Sequence, residues 1–340
     1  MTTLFDRSFV RLSHKTDAVL FNQSSILNRT TTFKNTITTA ITKAISAISF
    51  LFITIAFLSG LVGCDSPPKN KATHRQNCVI VLDLSDRLLA PNQAATDQAL
   101  LRQCIQAFAD KAKNELYLSC QDRIRILVPQ QQNASYDWAQ FDDSLQLDLA
   151  KVDPQNKRKI VFWMQERWPI ILQRLYAQAT VNTDRHRYAG AQLWRTFSEV
   201  LPNEMPDSAS TNARIVRLAN HNKLVVLTDG YLDFESAATE RNNSNLATHS
   251  HFVNTLAAAQ QNWPQLMKEK NYGFLPTGHK LPHAEAIVLE VNPKAHYHAE
   301  ILQSLWLQWL GNSNIRTRGF LQVQNVPVAK NAIQDMLRTD

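Results

Sequence analysis

The sequence predicts an α/β domain: a doubly wound, mostly parallel sheet with helices on both faces and one antiparallel edge strand. Three observations carry this. Val79-Ile80-Val81-Leu82, Leu224-Val225-Val226-Leu227 and Ala286-Ile287-Val288-Leu289 are continuous apolar runs, as strands covered on both faces require. Between these runs lie segments with apolar residues at helical spacing. Leu145-Gln146-Leu147-Asp148-Leu149 instead alternates cleanly, which fits an edge strand with one wet face.

Taken in order, the first strand ends in Asp83-Leu84-Ser85-Asp86-Arg87. A helix is expected from about Ala95 to Lys113, with Leu100, Leu101, Cys104, Ile105 and Phe108 on one face. Arg123 to Val128 reads as a strand that forms a hairpin-like antiparallel pair with Leu145–Leu149. Lys157 to Ala179 reads as a long helix that Pro169 should kink or split, with Trp163 and Trp168 in the core. A short helix over Gly190–Leu201 and a polar loop over Pro202–Asn212 lead to the second central strand, Lys223–Leu227. Thr228-Asp229-Gly230 follows it. A long polar connection, Asp233–Ser250, precedes a helix near Phe252–Lys270 and a loop over Gly273–Pro282. The third central strand is followed by a helix at Ala299–Leu310, a strand at Phe320–Val323 and a last helix at Ala329–Leu337. The alternation argues for one domain over residues 77–340.

The 340 residues are 44% apolar with only 8 Gly, which permits a sizeable core. Of 36 basic and 29 acidic residues, residues 1–63 hold six and two, so the remainder carries 30 and 27. The formal charge of +7 is therefore concentrated in the N-terminal segment, and the domain itself gives no argument for nucleic-acid binding.

Residues 1–63 read as a tail and signal peptide. Lys34 and Lys43 precede the uncharged apolar run Ile45–Gly63. Leu61-Val62-Gly63-Cys64 resembles a bacterial lipobox, which implies lipidation of Cys64 and a firm membrane anchor. A transmembrane helix that happens to hold a cysteine is the alternative. Asp65 resembles an inner-membrane retention signal, with the outer membrane the other possibility. Polar residues 64–76, with Pro67-Pro68, read as a flexible tether. Export permits disulfides, and Cys78 and Cys120 each precede a strand expected to be adjacent and parallel, so a Cys78–Cys120 bond is expected, with Cys104 in the core.

Two central strands thus deliver carboxylates and hydroxyls to one rim, the carboxyl-end edge where open α/β sheets bind ligands. This order of motifs resembles a von Willebrand factor A-type domain. Asp83-x-Ser85 matches the first part of that family's Asp-x-Ser-x-Ser, and Thr228-Asp229-Gly230 matches its later motif. The resemblance implies a metal-ion-dependent adhesion site, usually holding magnesium, with Asp83, Ser85 and Asp229 as ligands. Arg87 stands where the second serine belongs. The turn that should supply a threonine reads Tyr188-Ala189-Gly190-Ala191-Gln192. With two of the family's five ligands missing, a site without tightly held magnesium is expected. An inward Arg87 would neutralise Asp83 and Asp229 and take the cation's place.

The expected function is a membrane-anchored, periplasm-facing module that binds an envelope protein or other ligand. Asp86, Arg87, Thr228 and Gly230 line its rim, and no cofactor is required. A haloacid-dehalogenase-like phosphatase with Asp83 as nucleophile is the rival. It lacks the second aspartate two residues on, where Ser85 stands, and a carboxylate pair after a later strand. An inactive fold with a structural role is the third reading. The pairs His249/His251 and His296/His298 lack an evident third ligand for zinc.

Overall fold

The structure, a computed structural model, describes residues 74–131, 139–181, 190–210, 217–233, 245–281, 283–323 and 325–338. Its strands are β1 (His74–Leu82), β2 (Arg123–Leu127), β3 (Gln146–Asp148), β4 (Ser208–Ser210), β5 (Arg217–Leu227), β6 (Leu246–Ala247), β7 (Gly273–Phe274), β8 (Ala284–Val291) and β9 (Ile315–Gln322). The longer helices are α1 (Gln93–Asn114), α2 (Pro154–Val181), α3 (Phe252–Ala258), α4 (Trp263–Lys270), α5 (His298–Asn312) and α6 (Val326–Arg338). The main sheet runs β3-β2-β1-β5-β8-β9. All neighbours along it are parallel except β3, which pairs antiparallel with β2. The fold is a doubly wound α/β sheet with the antiparallel edge that the alternating Leu145–Leu149 segment foretold.

The central strands are buried on both faces because both faces are covered. Cys78, Ile80, Leu82, Val225, Leu227, Ile287 and Leu289 face one core, which α1, α2 and α6 close. Val79, Val81, Leu224, Val226, Ala286 and Val288 face the other, closed by α3, α5 and the helical turns at Leu193–Arg195, Thr196–Val200 and Leu201–Glu204. The middle of these three turns is π-helical.

Several expectations are corrected. Residues His74–Gln76 are strand, not tether. Arg75 is buried and donates to Asn220 Oδ1 and Asp148 Oδ1 at 2.7 and 2.9 Å, and Asp122 Oδ1 accepts from the Gln76 amide at 2.7 Å. Arg75 enters the sheet with internal partners, whereas only the backbone of Gln76 is paired and its side-chain amide is buried without a partner among the described residues. The second central strand starts at Arg217, and part of the expected polar loop, Ser208–Ser210, pairs antiparallel with it. Pro169 does not split α2. Met164, Trp168, Leu172, Leu175 and Tyr176 are buried in a stripe continuous across the proline, and that packing outweighs one lost backbone bond. Trp163 is 45% exposed while Trp168 is fully buried. Five residues apart, they point about 140° from each other around the helix. The helix expected over Phe252–Lys270 is two, separated where Gln260 takes a left-handed φ of 50° and Pro264 opens α4.

Cys78, Cys104 and Cys120 are free, buried thiols. The Cys78–Cys120 bond is not formed. Register sets Cys78 opposite Ile124, while Cys120 lies in the connection that precedes β2. The lipobox, Cys64 and Asp65 lie outside the described residues. Among the described residues no helix is long and apolar enough to cross a membrane.

Candidate functional site

The strand order turns back between β1 and β5, so their carboxyl ends frame the crevice at which open α/β sheets bind ligands. Both strands end in the same local device. Asp83 Oδ1 accepts from the Ser85 amide at 3.0 Å, and Asp229 Oδ1 accepts from the Tyr231 amide at 3.0 Å. An aspartate bonding the backbone two residues on turns the chain out of the sheet. Thr228 adds a third such bond, from the Gly230 amide to Oγ1 at 3.1 Å. The two loops are joined directly: Thr228 Oγ1 donates to Asp83 Oδ2 at 2.8 Å, and the Asp83 amide donates to the Leu227 carbonyl at 2.9 Å. The separated segments therefore converge.

Gly230 adopts φ +94°, and a Cβ there would meet Val291 Cγ1 at 3.0 Å. Its carbonyl accepts from Trp306 Nε1 at 2.8 Å. Gly230 thus packs beneath the rim and shapes it rather than facing a ligand. Thr228 is likewise fully buried.

Arg87 does turn inward and is 7% exposed. Its principal partner is Asp97 on α1, however, not the carboxylates of Asp83 and Asp229. Nη2 donates to Asp97 Oδ2 at 2.6 Å, and Nε to the Asp83 carbonyl at 2.6 Å. Asp97 also accepts from Gln93 Nε2 at 2.9 Å and Tyr176 Oη at 2.9 Å, and Gln93 reaches Glu290 Oε2 at 3.0 Å. Burial opposes the Arg87 charge, but Asp97 and then Asp83 outweigh it and raise its pKa. The result is a buried polar network directly under the rim.

The cation beside Asp229 is Lys294, from the loop between β8 and α5. Its Nζ lies 3.5 Å from Asp229 Oδ2, 4.0 Å from Asp233 Oδ2, and 4.5 Å from the centre of the Tyr231 ring. The Tyr231 hydroxyl fixes this loop. It accepts from the Lys294 amide at 2.9 Å and meets His298 Nδ1 at 2.6 Å. Burial and then Lys294 lower the His298 pKa, which favours the neutral ring. Burial, followed by the negative charge of Asp83, pushes the Asp229 carboxyl up to about 7. Burial also raises Asp86 and Asp233, with Lys294 working against it. For Lys294 itself, burial is outweighed by Asp229, Asp233 and Asp86, and its pKa rises.

The site has two layers. Asp83, Ser85, Arg87, Thr228 and Asp229 are buried. Solvent meets Asp86, Asp233 and the half-exposed Lys294. Of these groups, the sequence reading missed Asp97, Gln93, Tyr176, Glu290, Asp233 and Lys294. Tyr188 and Ala189 of the expected threonine turn, and residues 234–244 of the long connection, lie outside the described residues.

As for metal chemistry, Asp83 is engaged through both oxygens and Asp229 through Oδ1, while Oδ2 faces Lys294. Among the described residues, Glu115, Cys120 and Asp122 bring potential ligand atoms within 4.8 Å of one another. Lys111 Nζ already sits 2.6 Å from Glu115 and 3.1 Å from Asp122. The ring pair His249/His251 is stacked at 4.2 Å.

No family model matches the chain, and no curated protein does. Two crystal structures of the pilus adhesin SpaC from Lactobacillus rhamnosus GG align with it, one in the open conformation at 12% identity and another form at 10%. Each alignment covers 79% of this chain and 30% of the adhesin, with a TM-score of 0.36.

Proposed function

We propose that the chain is an envelope-anchored binding module of von Willebrand A-type architecture that engages a protein partner through the rim above β1 and β5, without a resident metal and without catalysis. The observation that carries this reading is the pair of matching aspartate turns at the strand-order reversal, with Lys294 standing over Asp229. The donor set argues against tight magnesium. Near-octahedral coordination wants several unengaged oxygens, whereas here the inner carboxylates are bonded to backbone and threonine donors and the remaining face holds an ammonium group.

On this reading Asp83, Thr228, Asp229 and Arg87 hold the loops in place, and Asp86, Asp233 and Lys294 meet the partner. Cys64 supplies the lipid anchor, with Asp65 favouring the inner membrane. Binding is tested by capture from solubilised envelope with the wild type and an Asp86→Ala/Asp233→Ala/Lys294→Ala variant. A partner retained by the wild type and lost by the variant supports the rim. Equal capture by both sinks it. Magnesium is tested by calorimetry: submillimolar uptake by the wild type, abolished by Asp83→Ala, overturns the metal-free reading.

A further inference from the structure

The edge of the sheet opposite the rim carries a feature that the binding function does not use. Helix α1 ends in a turn where Leu116 and Tyr117 take left-handed φ of 59° and 53° in succession. Such values are uncommon for non-glycine residues. The turn is held by the Tyr117 amide donating to the Ala112 carbonyl at 2.8 Å and by Lys157 Nζ donating to the carbonyls of Leu118 and Cys120 at 3.2 and 2.6 Å. It holds two leucines out of the core: Leu116 is 77% exposed and Leu118 62%. Beside them Phe162, 44% exposed, meets the Tyr117 ring at 6.3 Å, and Trp163 follows it on α2. Clustered exposed apolar side chains mark an interaction surface.

Two observations select the occupant. Exposed cations lie beside the patch in sequence. Arg158 lies over the Phe162 ring at 5.5 Å, and Lys113 and Lys159 are exposed three residues before Leu116 and Phe162. The exposed acids beside these cations are Asp153 and Glu166, the latter one turn past Phe162 and Trp163 on α2, while Glu115 is tied to Lys111. Second, this is the edge at which the chain enters the domain. β1 and β2 are parallel, and Asp122, just past the turn, bonds the Gln76 amide at the start of β1. Cys64 lies ten residues before His74, a reach of at most about 35 Å when extended.

We infer that the Leu116–Leu118 turn and the adjoining face of α2 dock on an anionic bilayer surface, with the leucines and aromatic rings at headgroup depth and Lys113, Arg158 and Lys159 on the phosphates. The entry-edge argument rests on the anchored reading; the patch itself does not. Docking would aim the Asp86–Lys294 rim away from the membrane.

The test uses the full-length chain returned to vesicles with an environment-sensitive fluorophore on Leu118→Cys, the wild type serving as the labelling blank. With vesicles containing phosphatidylglycerol, the probe is expected to shift blue and to be quenched by spin-labelled lipid. Phosphatidylcholine alone, raised salt, or Lys113→Glu with Lys159→Glu should weaken the signal about tenfold. The same probe on Leu89→Cys, at the rim, should stay in water. A Leu118 probe that stays wet on anionic vesicles overturns the inference, whether or not the chain is vesicle-bound. A blue shift that grows with protein concentration without vesicles also overturns it, and assigns the patch to a second copy of the chain. The mass of the Cys64 peptide judges the anchor separately: an unmodified Cys64 with a buried Leu118 probe sinks the anchor and leaves the docking surface standing.

Discussion

Lys294 Nζ sits 3.5 Å from Asp229 Oδ2, so a lysine from the third central strand's loop neutralises the aspartate that ends the second. The neutralisation is partial, because burial and Asp83 still hold the Asp229 carboxyl near 7 against an ordinary 3.8. A carboxyl that binds its proton more tightly folded than unfolded contributes most stability at or below the unfolded value. That contribution is lost as pH rises through the folded one. Asp229→Asn should therefore flatten the decline in stability between about pH 4 and pH 7, and should be more stable than the wild type at pH 8 by on the order of 1 kcal/mol. Lys294→Met should do the opposite, raising the Asp229 pKa further and carrying the decline to higher pH, so that the loss between pH 5 and pH 8 grows. Thermal unfolding of the three proteins at pH 5 and pH 8 checks both. Identical pH profiles would contradict the pairing.

Arg87 should tolerate no conservative exchange. Its Nε serves the Asp83 carbonyl while Nη2 serves Asp97, two directions that a single ammonium cannot cover together. Arg87→Met leaves Asp97 buried with an uncompensated charge and should cost about 3–5 kcal/mol. Arg87→Lys should fall between Met and the wild type. Arg87→Met combined with Asp97→Leu should recover part of the loss, although Gln93 and Tyr176 would then lack their acceptor. Urea denaturation measures all three. If Arg87→Lys matches the wild type, the forked geometry is not what the site uses.

The thiols provide a check on the core. Burial, then Asp122, pushes Cys78 up to about 12, and burial likewise raises Cys104 and Cys120. Thiolate is the reactive form, so none of the three should react with a charged disulfide reagent at pH 8 while folded. All three should react after denaturation without reductant. A pair that stays silent until reduction would restore a disulfide.

The strands were legible because burial on both faces leaves a continuous apolar run, and β1, β5 and β8 each carry one. The convergence of Asp83 with Thr228 and Asp229 was legible too, since parallel central strands bring their carboxyl ends to one edge. The identity of the cation was not. Arg87 was visible next to Asp83 in sequence, but its partner depends on which way α1 packs. Asp97 nevertheless carried a signal: it lies four residues before Leu101, on the buried stripe of α1, where an acid needs an internal partner. Lys294 follows the third central strand by three residues and so belongs to the same rim. An acid is the residue type a metal or phosphate site calls for there, and the strand is followed by Asn292 instead. The bonds that commit the hydroxyl of Thr228 and the carbonyl of Gly230 to the interior depend on loop packing, for which sequence has no period.

The two tryptophans of α2 separate periodicity from composition. Both sit in an apolar segment, and composition alone sends both to the core. The helical repeat does not, and it places only Trp168 on the stripe shared with Met164 and Leu172. Trp168→Ala should cost about 3–5 kcal/mol, from lost burial and the cavity left behind. Trp163→Gln should change folding stability by no more than about 0.5 kcal/mol, since the ring is half in water already. Urea unfolding of the full-length variants in the absence of lipid makes the comparison, because any role of Trp163 at a bilayer is then silent. A large loss from Trp163→Gln under those conditions would mean that the ring is buried by something other than the described fold.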